Sequence, residues 1–113
     1  MNKLKIAVIG TGLVGSFHAE IFFRNPNSEL IAVCDIDKEK VNKIANRFKC
    51  KAYNEFESLI NTEKLDAISI ATPEQIRIAP ALLAIEKGLK ILLEKPLGRN
   101  LEDIENLVNK IKN

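Results

Sequence analysis

The sequence predicts a doubly wound α/β domain, a parallel sheet of about five strands in the order 3-2-1-4-5 with helices on both faces. Three observations carry this expectation. Short runs rich in Ile and Val, such as Leu4–Ile9 (LKIAVI) and Leu30–Cys34 (LIAVC), lack the alternation of a half-exposed strand and read as strands buried on both faces. Segments with helical spacing of apolar residues separate these runs, and such crossovers join parallel strands. A glycine-rich turn, Gly10-Thr11-Gly12-Leu13-Val14-Gly15, stands directly between the first strand and the first helix.

Each element has its own signal. Leu4–Ile9 ends at Gly10, and the next segment, Leu13–Arg24, carries apolar residues at 13, 14, 17, 21 and 22 before Asn25-Pro26-Asn27-Ser28 stops it with turn chemistry. Leu30–Cys34 is the second strand. Asp37 can cap a helix running to Phe48, with Glu39 in its first turn and Val41, Ile44, Ala45 and Phe48 on one face. Lys51–Tyr53 is a short third strand, Phe56, Leu59 and Ile60 mark a brief helix, and Leu65–Ala71 is a fourth strand ending at Thr72-Pro73. Ile76–Lys87 is helical by spacing; Pro80 requires a place near its first turn, and Gly88 is set to end it in a left-handed conformation. Lys90–Leu93 is the fifth strand. Leu101–Ile111 is an amphipathic helix with Leu101, Ile104, Leu107, Val108 and Ile111 on one face.

Composition narrows the class. A length of 113 residues is one domain, residues 1–113, with no room for a second of ordinary size. With 46% hydrophobic and 28% charged residues the chain is neither disordered nor fibrous. Seventeen Lys plus Arg face fifteen Asp plus Glu, interspersed along the chain, so the formal charge of +2 gives no field for nucleic acid or membrane. Cys34 and Cys50 lack CxxC spacing and His18 is the only histidine, which excludes zinc and redox motifs. The apolar stretch Ile6–Ile9 is too short for a signal peptide or membrane span. A cytoplasmic protein with reduced, buried thiols is expected.

The chemistry lies in the glycine turn and at the end of the second strand. Gly10 permits the tight turn, Gly12 lets a pyrophosphate approach the backbone, and Gly15 allows the helix to pack closely on the strand. The first amides of that helix, from Leu13 and Val14 onward, then face the anion. Asp35 ends the second strand 20 positions after Gly15, where a carboxylate accepts hydrogen bonds from an adenosine ribose. Its charge would repel a 2′-phosphate, and Ile36-Asp37 supplies no Arg to neutralise one, so NAD is favoured over NADP. Two bland readings compete: a glycine turn with packing duties alone, and an Asp35 that only opens the loop and caps the next helix. Lys38 could approach Asp35 and soften the discrimination.

Further segments join this fingerprint. Gly10-x-Gly12-x-x-Gly15-x-x-His18, Ala71-Thr72-Pro73, Ala81–Gly88 (ALLAIEKG) and Leu93-Glu94-Lys95-Pro96-Leu97 together resemble the amino-terminal, NAD-binding Rossmann half of the glucose-fructose oxidoreductase, inositol dehydrogenase and MocA-like family. The resemblance runs from Lys3 to Lys112. It implies cofactor contacts from Gly10, Thr11, Gly12, Leu13, Val14, Gly15, Asp35, Ile36, Ala71, Thr72, Pro73, Glu94, Lys95 and Pro96. It implies further that Lys95 is catalytic, placed beside the nicotinamide and the substrate hydroxyl. A Lys at the carboxyl end of a central parallel strand lies on the ligand side of such a sheet, where its ammonium is a useful donor to a developing alkoxide. The bland alternative is a surface Lys95 paired with Glu94. His18 matches the family pattern, but its place on the first helix suits packing or hydrogen bonding near the glycine turn rather than acid–base work.

The chain also departs from the pattern. Arg77 stands where the family usually has a His, and Glu74 where it often has Asn. Family members continue into a sixth strand and a substrate domain, so this segment is expected to hold a cofactor site and a catalytic Lys without a substrate pocket. The implied function is the NAD-binding domain of an oxidoreductase that moves hydride between a nicotinamide cofactor and a sugar, cyclitol or related hydroxyl compound. The alternatives are a stand-alone NAD(H)-binding sensor or subunit, and a structural protein that has lost the cofactor. The expected partners are the dinucleotide, a small-molecule substrate once a second domain or chain is present, and further copies pairing along the edge of the fifth strand.

Overall fold

The computed structural model describes residues 3–72, 76 and 78–93. Pro73, Glu74, Arg77, Glu94, Lys95, Pro96 and the expected helix Leu101–Ile111 lie outside the described residues. Within them the chain alternates strand and helix: β1 (Leu4–Ile9), α1 (Leu13–Arg24), β2 (Ser28–Cys34), α2 (Lys38–Phe48), β3 (Lys51–Tyr53), α3 (Phe56–Thr62), β4 (Ala67–Ile70), α4 (Ile78–Glu86) and β5 (Lys90–Leu93). The sheet order is β3-β2-β1-β4-β5, as the sequence implies, and every pairing is parallel.

The two faces of the sheet bury two separate sets of side chains. On one, Val8, Leu30 and Val33 meet Ala19 of α1 and Val41, Ala45 and Phe48 of α2. On the other, Ala7, Ile9, Ala32, Cys34, Ile68 and Ile70 meet Leu59 and Ile60 of α3 and Ala81 and Ala84 of α4. Burial on both faces explains why β1 and β2 read as unbroken apolar runs. A shift in the β1–β2 ladder is the exception to simple alternation: Ile6 pairs with Leu30 but Ala7 pairs with Ala32, leaving Ile31 as an extra residue. Ile31 and Ala32 consequently pack toward the same face, and Val33 and Cys34 resume the alternation.

Helix ends follow local chemistry. Asp37 caps α2 by accepting from the Glu39 and Lys40 amides at 3.1 and 3.2 Å, as anticipated. Lys49 ends that helix in the left-handed conformation, φ 55°, which a glycine adopts more readily. The Asn25 side chain accepts from the Asn27 amide, and the Ser28 hydroxyl donates to the Phe22 carbonyl, closing α1. Pro80 is the third residue of α4, where its missing N–H breaks no helical bond, and Gly88 is left-handed at φ 77°.

Candidate functional site

Parallel strands place all their carboxyl ends on one edge, and the strand order reverses between β1 and β4, where such sheets open a crevice. A cleft of about 890 Å³ lies there, lined from both sides of the reversal by Ile9, Gly10, Ala71 and Thr72, and beyond β2 and β3 by Cys34, Asp35, Ile36 and Asn54. Its volume is that of a small-molecule site.

The glycine turn forms one wall. Gly10 has φ 97°, and a Cβ there would sit 2.7 Å from the Ala71 carbonyl oxygen, so only glycine lets β1 turn this close to the end of β4. At Gly15, which is buried, a Cβ would run into the Gly10 carbonyl. Gly12 differs from both: nothing lies within 4 Å of where its Cβ would be, and the open space is part of the cleft. Gly12 is also the N-cap of α1, with no side chain capping the helix and no acidic residue in its first turn. The contrast with α2 is direct, because α2 starts on the same edge with its amides served by Asp37 and with Glu39 in its first turn. An uncapped helix start, facing an open space beside a glycine, is suited to an anion from outside the chain.

Asp35 lines the cleft beside this turn. Its Oδ2 accepts from the Thr11 amide and the Thr11 hydroxyl, each at 2.8 Å, and its Oδ1 accepts from the Asp37 amide at 2.9 Å. Burial works against its charge, but those hydrogen bonds and the Lys40 ammonium win and hold its carboxyl below the ordinary value. The Asn54 amide donates to the Asp35 carbonyl at 3.1 Å. Asp37, Glu55 and Glu57 line the same region, with Lys40 as the cation among them. Burial first, then the charges of Asp35, Glu57 and Glu55, push the Cys34 thiol up to about 12, so it is an inert part of the wall.

Of the residues expected from sequence, Gly10, Gly12, Leu13, Val14, Asp35, Ile36, Ala71 and Thr72 converge on the cleft. Thr11 and Gly15 do not line it: Thr11 is buried with its side chain turned to Asp35, and Gly15 packs against the turn. His18 reaches past the glycine turn to β4, its Nδ1 lying 2.7 Å from the hydroxyl of the fully buried Ser69. Lys40, Asn54, Phe56 and Ile76 also line the cleft and were not singled out by sequence, while Lys38, the cation considered there, does not. Asn54 and Phe56 follow the carboxyl end of β3, so the rule that ligands bind beyond strand ends could have found them.

Comparison with known proteins agrees with this geometry. The sequence model of an oxidoreductase family with an NAD-binding Rossmann fold matches residues 4–113. Inositol 2-dehydrogenase of Rubrobacter xylanophilus is 29% identical over 108 residues, covering 95% of this chain and 31% of that protein. UDP-N-acetylglucosamine 3-dehydrogenase of Acidithiobacillus ferrooxidans is 32% identical over 108 residues, covering 96% and 33%. Among solved structures, myo-inositol 2-dehydrogenase of Lactobacillus plantarum superposes with a TM-score of 0.93 at 28% identity, covering 98% of this chain and 33% of that one. The chain thus spans a third of the length of these relatives.

Proposed function

The chain belongs to the glucose-fructose oxidoreductase, inositol dehydrogenase and MocA-like family, with its NAD-binding Rossmann fold, and we propose that it forms the cofactor half of a dehydrogenase acting on a hydroxyl group of a sugar, cyclitol or related compound. The observation that carries this reading is the uncapped start of α1 at Gly12, open to the cleft and faced by Asp35. Gly10, Gly12, Leu13 and Val14 would hold the pyrophosphate through the amides of the turn and helix. Asp35 and Ile36 would hold the adenosine ribose and its base. An ionised carboxylate offers about four acceptor positions, and three are taken here, which leaves Oδ1 able to accept from a ribose hydroxyl.

A nicotinamide dinucleotide held there would supply the hydride chemistry at the substrate carbon. The chain's own part is to position that exchange. Ala71, Thr72 and Pro73 would carry the cofactor across the end of β4, and Glu94, Lys95 and Pro96, following β5, would border its nicotinamide end. Lys95 would orient the substrate hydroxyl and, as an ammonium, donate to its oxygen as alkoxide character develops, a role that rests on the family resemblance. The relatives' names, inositol and UDP-N-acetylglucosamine dehydrogenases, support the substrate class. Among the described residues no helix is long and apolar enough to cross a membrane. A cytoplasmic setting suits Cys34 and Cys50 as free thiols.

Selectivity provides the test. Among the described residues that line the cleft, Asp35, Asp37, Glu55 and Glu57 stand against the single charge of Lys40, so a 2′-phosphate at the ribose end would meet net repulsion. Nicotinamide fluorescence should show saturable NADH binding, NADPH at least about tenfold weaker, and a narrower gap in Asp35→Ala. Equal binding of both cofactors, or of neither, would overturn the assignment.

A further inference from the structure

We propose that Thr11 is a positioning residue for Asp35, tying the ribose-facing carboxylate to the glycine turn so that two contact points of the dinucleotide are held as one unit. This role rests on NAD being the ligand of the cleft and adds a duty for a side chain that does not line it. Thr11 is the one residue of the turn between Gly10 and Gly12, and only 4% of it is exposed. Its amide and its hydroxyl both donate to the same oxygen of Asp35. The other end of Thr11 is fixed as well, because the Ser16 hydroxyl donates to its carbonyl at 3.0 Å.

The consequence for Asp35 is geometric. With Oδ2 committed twice and the Asp37 amide on Oδ1, the carboxylate plane is set, and its remaining acceptor position belongs to Oδ1. The Asp35 backbone is held too, its amide donating to the Tyr53 carbonyl at 3.1 Å and its carbonyl accepting from Asn54. With glycine on either side, Thr11 is the side chain that can fix where the turn lies, and its bonds to Asp35 supply that fixing. Among the described residues, the Lys40 ammonium of α2 is the charge that favours the ionised Asp35 carboxylate, and Asp37, Glu55 and Glu57 line the same cleft.

A double-mutant cycle on the full chain tests this, with NADH as the probe and nicotinamide fluorescence as the readout. Thr11→Val should weaken NADH about tenfold, the usual weight of a hydrogen bond to a charged group, while Thr11→Ser stays within about twofold. In an Asp35→Ala background Thr11→Val should add less than about twofold, because its route to the cofactor is gone. A cofactor-free readout runs beside it: the Asp35 carboxyl, followed by carbon NMR, should titrate at higher pH in Thr11→Val than in the parent protein. If Thr11→Val does not fold, Thr11→Ala removes the hydroxyl without added bulk and carries the same expectations. Losses that add in the double variant, or an Asp35 titration and NADH affinity unchanged by Thr11→Val, would overturn the positioning role while leaving NAD binding intact. Failure of the parent protein to bind NADH would overturn both.

Discussion

Replacing Gly15 by alanine drives a Cβ into the Gly10 carbonyl and sets it 3.4 Å from the Ala71 Cβ. The obstacle is backbone, so no rotamer relieves it, and the start of α1 must move off the strand. Overpacking costs about 1–3 kcal/mol, and a clash with backbone stands at the upper end of that range. The better helix propensity of alanine returns about 1 kcal/mol. A net loss of about 2 kcal/mol is a large part of the 5–15 kcal/mol typical of a small domain. With a urea slope of about 1–3 kcal/mol/M, the unfolding midpoint should fall by about 1 M. Gly12→Ala meets nothing within 4 Å and keeps an ordinary φ of −71°, so its midpoint should stay within about 0.5 M of the parent. The same methyl fills the space where the pyrophosphate would approach, and NADH affinity should fall at least about tenfold. An unshifted midpoint for Gly15→Ala, or undiminished NADH binding by Gly12→Ala, would refute the reasoning.

Other outcomes rest on single residues. Lys49→Gly removes a left-handed strain of about 1–2 kcal/mol against about 0.5–1 kcal/mol of added chain entropy, so the thermal midpoint should rise by a few degrees in circular dichroism. The folded Asp35 carboxyl lies below its ordinary 3.8, so it adds stability that is complete above that value and is lost as the pH drops through the folded value. Urea midpoints of the parent and Asp35→Asn should therefore converge below about pH 4, and a gap that widens in acid would contradict the assignment. Cys34, with its thiol near 12, should react with an aromatic disulfide at pH 8 at least about a hundredfold more slowly in the folded protein than in urea.

Much of this architecture is legible because each signal is local. The Ile and Val runs of β1 and β2, the Asp37 cap and the left-handed Gly88 need no knowledge of distant residues. Where sequence and structure part, a distant partner decides. Ser28 and Glu29 look like turn, yet β2 begins at Ser28 because Leu4 and Lys5 lie alongside to pair with them. Leu65 and Asp66 look like the start of β4, but the Asp66 carboxylate accepts from the Lys5 amide and the regular ladder begins at Ala67. The Ile31 bulge arises from β1–β2 pairing and leaves no trace in composition. The site divides in the same way. Its glycines and Asp35 declare themselves by spacing, whereas Lys40, Asn54 and Phe56 reach the cleft only because parallel strands bring the segments that follow β2 and β3 to one edge. The Thr11 side chain turns toward Asp35 for a reason that spacing cannot carry, a pair of hydrogen bonds across 24 residues.

The central claim is that a nicotinamide dinucleotide lies across the carboxyl edge of the sheet between the α1 start and Asp35. Amide NMR spectra recorded during an NADH titration test it most directly. The account predicts saturable shifts concentrated at Gly12, Leu13, Val14 and Ile36, with β3 and the far ends of α1 and α2 unmoved. Shifts absent at saturating NADH, or centred away from the glycine turn, would contradict it.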